Sequence, residues 1–197
     1  MWRLEDYRVV FVAVGLVGVL LFAVPSLALV VHLPGGERFS ELWVLGSGHM
    51  AEGYPYNVRA GESYQVYVGV GNHLGGSAYY LVQAKLRNWS EALPDGSVPS
   101  PVAATGKMRG FVADGQSWEG AVSFGFGGVA FEGNTCRVGV FRVNGVAFQV
   151  DKTADLNGTE YAFEVFWELW LYNRSEGMFD YHGRYVALWL NMTAPPE

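Results

Sequence analysis

The chain has 197 residues, of which 50% are apolar and only 16% charged, and its formal net charge is −6. That length suits one domain plus an anchor, and the acidic balance excludes a basic surface for nucleic acid and any pull toward anionic lipid head groups. A single cysteine, Cys136, excludes an intrachain disulfide, so a folded domain must be held by its core, with Cys136 read as a small core residue.

Residues 1–8 read as a cytoplasmic N-terminus. From 9 to 33 the sequence is almost entirely Val, Leu, Ala, Phe and Gly, with no formal charge. A helix needs about 20 apolar residues to cross roughly 30 Å of hydrocarbon, so 9–33 is expected to be a single transmembrane helix. Pro25 is a tolerated kink within it. A cleaved signal peptide is the competing reading, but its apolar region would be shorter, about 7–15 residues. His32 falls at the membrane edge. Arg3 and Arg8 precede the helix and Arg38 follows it, a slight positive-inside bias toward a cytoplasmic N-terminus.

Pro34-Gly35-Gly36 ends the helix, and 34–197 reads as one extracytoplasmic domain of strands and turns. Strands are expected over 41–45, 63–72 and 78–87. In the second, Tyr64, Val66, Val68 and Val70 share a face; in the third, Tyr80, Val82, Ala84 and Leu86 do. Such period-two alternation marks an antiparallel sheet with one face buried and one wet. The turn at Asn72-His73-Leu74-Gly75-Gly76 joins these two strands as a hairpin. Residues 89–106 are broken by Pro94, Asp95-Gly96, Pro99 and Pro101 and read as a loop. Strands resume at 117–126, and 136–143 and 146–150 flank Asn144-Gly145, a strong hairpin signal. Strands over 161–172 and 184–192 close the domain. In the first of these, Tyr161, Phe163, Val165, Trp167, Leu169 and Leu171 should face the core, and Glu164 and Glu168 should face out. Short strands with turns every ten or so residues point to an all-β, immunoglobulin-like antiparallel β-sandwich.

Four N-x-[ST] sequons, at Asn88, Asn157, Asn173 and Asn191, all lie beyond the apolar run. They support an exported, glycosylated surface and hence a single-pass cell-membrane protein with its C-terminal domain outside. Other signals are weak. Gly71-Asn72-His73 suits a turn, with Asn bonding nearby backbone. Asp180-Tyr181-His182 sets an acid beside an imidazole, but no serine lies in a nucleophile-elbow context; Gly46-Ser47-Gly48-His49 is not that motif. Asp151 to Glu160 spaces oxygen ligands as calcium would want. Counted from Asp151, however, the EF-hand glycine is Leu156 and its closing glutamate is Ala162, so a solvated hairpin loop is expected. The four histidines, His32, His49, His73 and His182, lack metal spacing. Seven tryptophans suit a core or a membrane belt better than a sugar platform. No catalytic, cofactor or metal residues are therefore assigned.

Several segments resemble an archaeal family of membrane proteins catalogued as domain of unknown function 1616. They are Pro25-Ser26-Leu27-Ala28-Leu29, Phe39-Ser40-Glu41-Leu42-Trp43-Val44-Leu45-Gly46, Ala51-Glu52-Gly53-Tyr54-Pro55, Asn57-Val58, Ala60-Gly61-Glu62, Val68-Gly69-Val70-Gly71-Asn72-His73 and Ala187-Leu188-Trp189-Leu190-Asn191-Met192. The resemblance covers roughly 15–90 and 160–192, leaving 95–155 as a candidate insertion. It implies an extracytoplasmic immunoglobulin-like fold in an archaeal envelope and no activity; family members commonly carry several transmembrane helices where this chain has one. The expected function is a non-enzymatic module making protein contacts in the envelope or serving as an accessory subunit of a membrane complex. Its partners would be membrane lipid and envelope proteins, with no nucleic acid. A filament subunit and a glycan-binding surface module are the alternatives; no pilin-type processing pattern lies near 1–8.

Overall fold

A computed structural model describes residues 7–30 and 37–194, with side chains for all of these except 23–30. The expected helix break at 34–36, the end of the expected span and His32 lie outside the described residues. Two compact units are formed, Met1–Arg38 and Phe39–Glu197. In the first, helix α1 runs over Arg8–Val30. Taken over the described residues, no helix is long and apolar enough to cross a membrane. The described side chains of α1 stop at Phe22, so the span expected over 9–33 is not a feature of the described structure.

The second unit is all-β. Its strands are β1 (Phe39–Leu45), β2 (Asn57–Val58), β3 (Ser63–His73), β4 (Ala78–Asn88), β5 (Gly106–Val112), β6 (Gln116–Glu132), β7 (Thr135–Val143), β8 (Val146–Asn157), β9 (Glu160–Asn173) and β10 (Met178–Met192). They form one curled sheet in the order β1-β3-β6-β7-β8-β9-β10-β2, with β4 pairing β9 and β5 at its flank. Every pairing of strands is antiparallel except that of the two-residue β2 with β10. The segment 95–155, expected as an insertion, supplies β5 to β8 and is woven through the sheet.

Alternation explains how the curl closes. Val66, Val68 and Val70 of β3, Val122, Phe124 and Phe126 of β6, and Cys136, Val138 and Phe141 of β7 face one core. Tyr80, Val82, Ala84 and Leu86 of β4 face it from the other side, with Phe163, Val165, Trp167 and Leu169 of β9 and Leu188, Leu190 and Met192 of β10. The inner faces of β3, β4 and β9 are those expected from alternation, whereas in β7 a bulge between Val138 and Val140 brings Phe141 to the same side as Cys136 and Val138. Burying an aliphatic or aromatic side chain contributes about 1.5–3 kcal/mol, and the inner faces of both halves are built from such residues. The β7–β8 turn is Asn144-Gly145, with both residues at positive φ (49° and 81°), as a type I′ hairpin requires. Asn144 is also tied to β6, since its Oδ1 accepts from Ser123 N at 2.9 Å.

On the outer face of β3, Gly69 lies between Trp43 and Glu119 in the strand register. The Trp43 indole crosses the glycine and donates from Nε1 to Glu119 Oε2 at 3.1 Å. His49, stacked on Tyr67, holds the other oxygen of Glu119 at 2.7 Å. A Cβ at position 69 would lie 2.1 Å from the Trp43 ring. Gly69→Ala should therefore displace the indole and cost about 1–3 kcal/mol, as overpacking does. Urea titration would give the loss, and red-shifted emission removed by Trp43→Phe would assign it to this ring; unchanged emission and stability would refute the packing.

Candidate functional site

The pairing of β4 with β9 sets the site. Gln83 lies opposite Glu168 and Arg87 opposite Glu164, so cations and carboxylates share the face turned away from the main core. Glu164 and Glu168 were expected to meet solvent there. Instead they are 2% and 0% exposed, and Lys85 and Arg87 are 3% and 6% exposed. The face assignment holds and the wetness does not, because 89–105 folds back over this surface. Lys85 Nζ bridges Glu168 Oε2 and Ser100 O, both at 2.8 Å. Ser100 N donates to Glu168 Oε1 at 2.7 Å, and Trp170 Nε1 to Glu168 Oε2 at 3.2 Å. Arg87 pairs with Glu164 and donates to Glu91 O at 2.5 Å. Glu91 in turn pairs with Lys152 of β8. The stretch read as a plain loop is thus a strap closed on a layer of buried charge. Burial pushes the Glu164 carboxyl above its ordinary value, and Arg87 draws it part of the way back.

This layer supports an aromatic cleft. Trp189, opposite Glu164 on β10, has the Arg87 guanidinium 5.2 Å from its ring centre. Trp89, the first residue of the strap, lies 4.8 Å from Trp189 between ring centres, with the planes inclined by 40°. Trp89 is 72% exposed and Trp189 38%. The cleft, about 650 Å³, is completed by Tyr56, Asn88, Thr153–Asn157 and Glu160. The Tyr56 hydroxyl donates to Glu160 Oε1 at 2.6 Å, a bond that raises the Tyr56 pKa.

Three of the four predicted sequons meet at this end of the sheet. Asn88 lies opposite Phe163, Asn157 opposite Glu160, and Asn191 opposite Ala162. Asn173 is at the far end of β9, beside a second aromatic patch in which Tyr79 stacks on Phe111 at 4.2 Å. Three sequon amides are engaged: Asn88 Nδ2 donates to Thr153 O (2.8 Å), Asn173 Nδ2 to Asp180 Oδ2 (2.9 Å) and Asn191 Nδ2 to Asn57 Oδ1 (2.9 Å). Asn157 is exposed, and its side chain has no partner among the described residues.

The remaining candidates are dispersed. Asp151 pairs with Arg137, Asp155 accepts from Thr135 and Glu160 from Tyr56, so the carboxylates of the calcium-like stretch go to separate partners. Much of that stretch is β8 and not loop. No group of three His, Cys, Asp or Glu able to hold a metal occurs among the described residues. Cys136 is buried in the core, and burial pushes its thiol up to about 11. Asp180 faces Asn173, not His182. His182 Nε2 instead lies 3.1 Å from Ser40 Oγ, 142 residues away in sequence, a contact no local motif could show. Ser40 also bonds Tyr80, which donates to Asn72. Asn72, fully buried, donates to Gly76 O and Val112 O and so ties strands together, but the hairpin expected across 72–76 does not form: β3 pairs with β1 and β6 and β4 with β5 and β9, so this turn carries the chain across from one inner face to the other. Ser40 is 1% exposed, which makes this a structural chain of hydrogen bonds without access for a substrate.

Residues 33–141 match a family described as Domain of unknown function (DUF1616). The chain belongs to that family. The match takes in part of 95–155, where the sequence resemblance lapses. No curated protein is significantly similar to this DUF1616 chain in sequence. Among solved structures, β-glucosidase from Listeria innocua in complex with isofagomine aligns at 10% identity and TM-score 0.38, covering 82% of this chain and 18% of that one. The same enzyme in complex with glucose aligns at 13% and 0.33, covering 61% and 17%. The ASH / PapD-like domain of human CEP192 aligns at 10% and 0.31, covering 85% and 96%. The DUF1616 chain therefore spans less than a fifth of the β-glucosidase, and scores this low carry no argument about fold or activity.

Two outcomes follow from this geometry. Breaking a buried pair on one side leaves a charge without compensation, at a cost of about 3–5 kcal/mol. Lys85→Met and Glu168→Gln should each lower stability by that order and open 89–105 to protease, and Lys85→Met/Glu168→Met should recover much of the loss. Urea melts with limited proteolysis would test this; singles as stable as the parent would refute it. Burial, then Arg184, holds His182 below the ordinary 6.5. The unfolded chain therefore takes up the proton first, and stability is lost as pH falls from 6.5 through the lowered folded value. Melting temperatures across this range should fall less steeply in His182→Asn than in the parent; parallel curves would refute the contribution.

Proposed function

We propose that this protein is a single-pass membrane protein whose β-domain, an immunoglobulin-like sandwich, stands outside the cytoplasm as a non-enzymatic contact module. It works by binding partners in the cell envelope or as an accessory subunit of a membrane complex. The carrying observation is α1. Val9, Phe11, Val12, Val14, Val19, Leu21 and Phe22 are each more than 60% exposed, and they point to all sides of the helix. A helix apolar all round belongs in a core or a bilayer, and water would penalise so large an apolar surface. The backbone is helical for 23 residues, with Arg8 the only charged residue among them.

The four sequons, all on the β-domain, support its outward placement. The sandwich reading is supported by antiparallel pairing and by two inward faces meeting across one core. The chain enters β1 at Phe39, opposite His73, next to the end where β4 begins. The cleft lies where β4 ends, ten residues further along, roughly 34 Å away.

Cys136 is buried and inert, so an introduced thiol can report topology alone. Full-length Ser97→Cys should stay with membranes after alkaline extraction and react with an impermeant maleimide on intact cells. Labelling only after lysis would reverse the topology, and release by alkali would remove the anchor. Detergent extracts should yield the chain with copurifying envelope proteins; a lone monomer would count against the contact role.

A further inference from the structure

We infer that the Trp89–Trp189 cleft is a carbohydrate seat, holding a pyranose ring against the indole faces with its hydroxyls turned to the Tyr56–Glu160 pair. Trp89 is 72% exposed, and a ring of that size dominates contact energetics when covered. Here the exposed ring faces a second one across 4.8 Å, and both open into a cleft of about 650 Å³, within the range of ligand sites. A flat apolar ring matches the C–H face of a sugar. The polar rim matches the hydroxyls: Glu160 accepts, Tyr56 donates or accepts, and backbone groups of 153–157 flank them.

Two sources could supply the sugar. One is a saccharide from outside the chain. The other is the chain's own glycan, since Asn88 and Asn157 both line the cleft and Trp89 is the middle residue of the Asn88-Trp89-Ser90 sequon. Asn157 is the better attachment point, exposed and without a side-chain partner among the described residues. Attachment replaces one Nδ2–H bond by a bond to the sugar's anomeric carbon. The donor is a lipid-phosphate-linked glycan, whose phosphate leaves with the proton released. This second source, though not the seat itself, rests on the extracytoplasmic reading above.

The test uses the full-length chain in a detergent without a sugar head group, with indole N–H signals resolved by NMR. In the first arm the chain carries no glycan, and cellobiose, maltose and chitobiose are titrated in. Signals of Trp89 and Trp189 should shift while those of the buried Trp167 stay. Trp89→Ala, which alters only an exposed ring, should weaken binding about tenfold, the factor that ~1.4 kcal/mol carries. In the second arm the chain comes from a glycosylating host and peptides spanning the sequons are weighed. The Trp89 signal should then differ from that of the glycan-free chain and revert in Asn157→Gln. A shift in the first arm supports an external saccharide, and a shift in the second alone supports the attached glycan. Fixed Trp89 and Trp189 signals in both arms overturn the seat. Bare sequons in surface-exposed chain would remove only the second source, and bare sequons in chain found inside the cell would sink the outward placement instead.

Discussion

Four charged side chains without water fix the form of this domain. Lys85 and Arg87 on β4 and Glu164 and Glu168 on β9 occupy a sheet face that would ordinarily be solvated, yet all four are almost completely covered. Withdrawing such ions from water costs several kcal/mol each unless every partner is in place. Partners come from the paired strand and from the backbone of the strap at Glu91 and Ser100. The strap can therefore neither drift nor be replaced by an arbitrary loop, because its carbonyls and amides complete the coordination of the charges. The main core would hold the two inner faces together alone; the charge layer decides what lies on the outside.

The same layer reaches the surface. Arg87 is shared between Glu164 and the ring of Trp189, and the strap that closes over it begins at Trp89. The two rings of the cleft are thus set by a buried pair and by the first residue of the segment that buries it. Rings placed by such a layer lose little freedom when a ligand arrives, which lowers the cost of association.

Much of the fold could be read from alternation. Val66, Val68 and Val70, or Phe163, Val165 and Trp167, announce a strand with one dry face, and Asn144-Gly145 announces its hairpin. What escaped notice had a different pattern. β5 reads Gly-Lys-Met-Arg-Gly-Phe-Val, and two glycines on its inner face leave only Met108 and Val112 to mark it as apolar. The second half of β8 runs through Asp151, Asp155 and Asn157, residues that favour turns, and is held extended by ladder bonds to β7. The buried charges left one clue: cations at 85 and 87 and carboxylates at 164 and 168 alternate on strands that were both expected. Only their pairing turns that clue into a layer, and pairing is not local in sequence. The cleft was hidden for the same reason, since Trp89 and Trp189 are far apart along the chain, and only the sequons beside them were visible.

The composition of β5 has a consequence for assembly. It bonds β4 on one side only, so its other side offers unpaired backbone groups, the usual invitation to edge-to-edge polymerisation. Lys107 and Arg109 stand exposed along that margin, and a like strand laid beside it would bring cation against cation. This margin is thereby discouraged from growing into a continuous ribbon with its own copies, and a larger architecture built on it would have to join through side-chain surfaces.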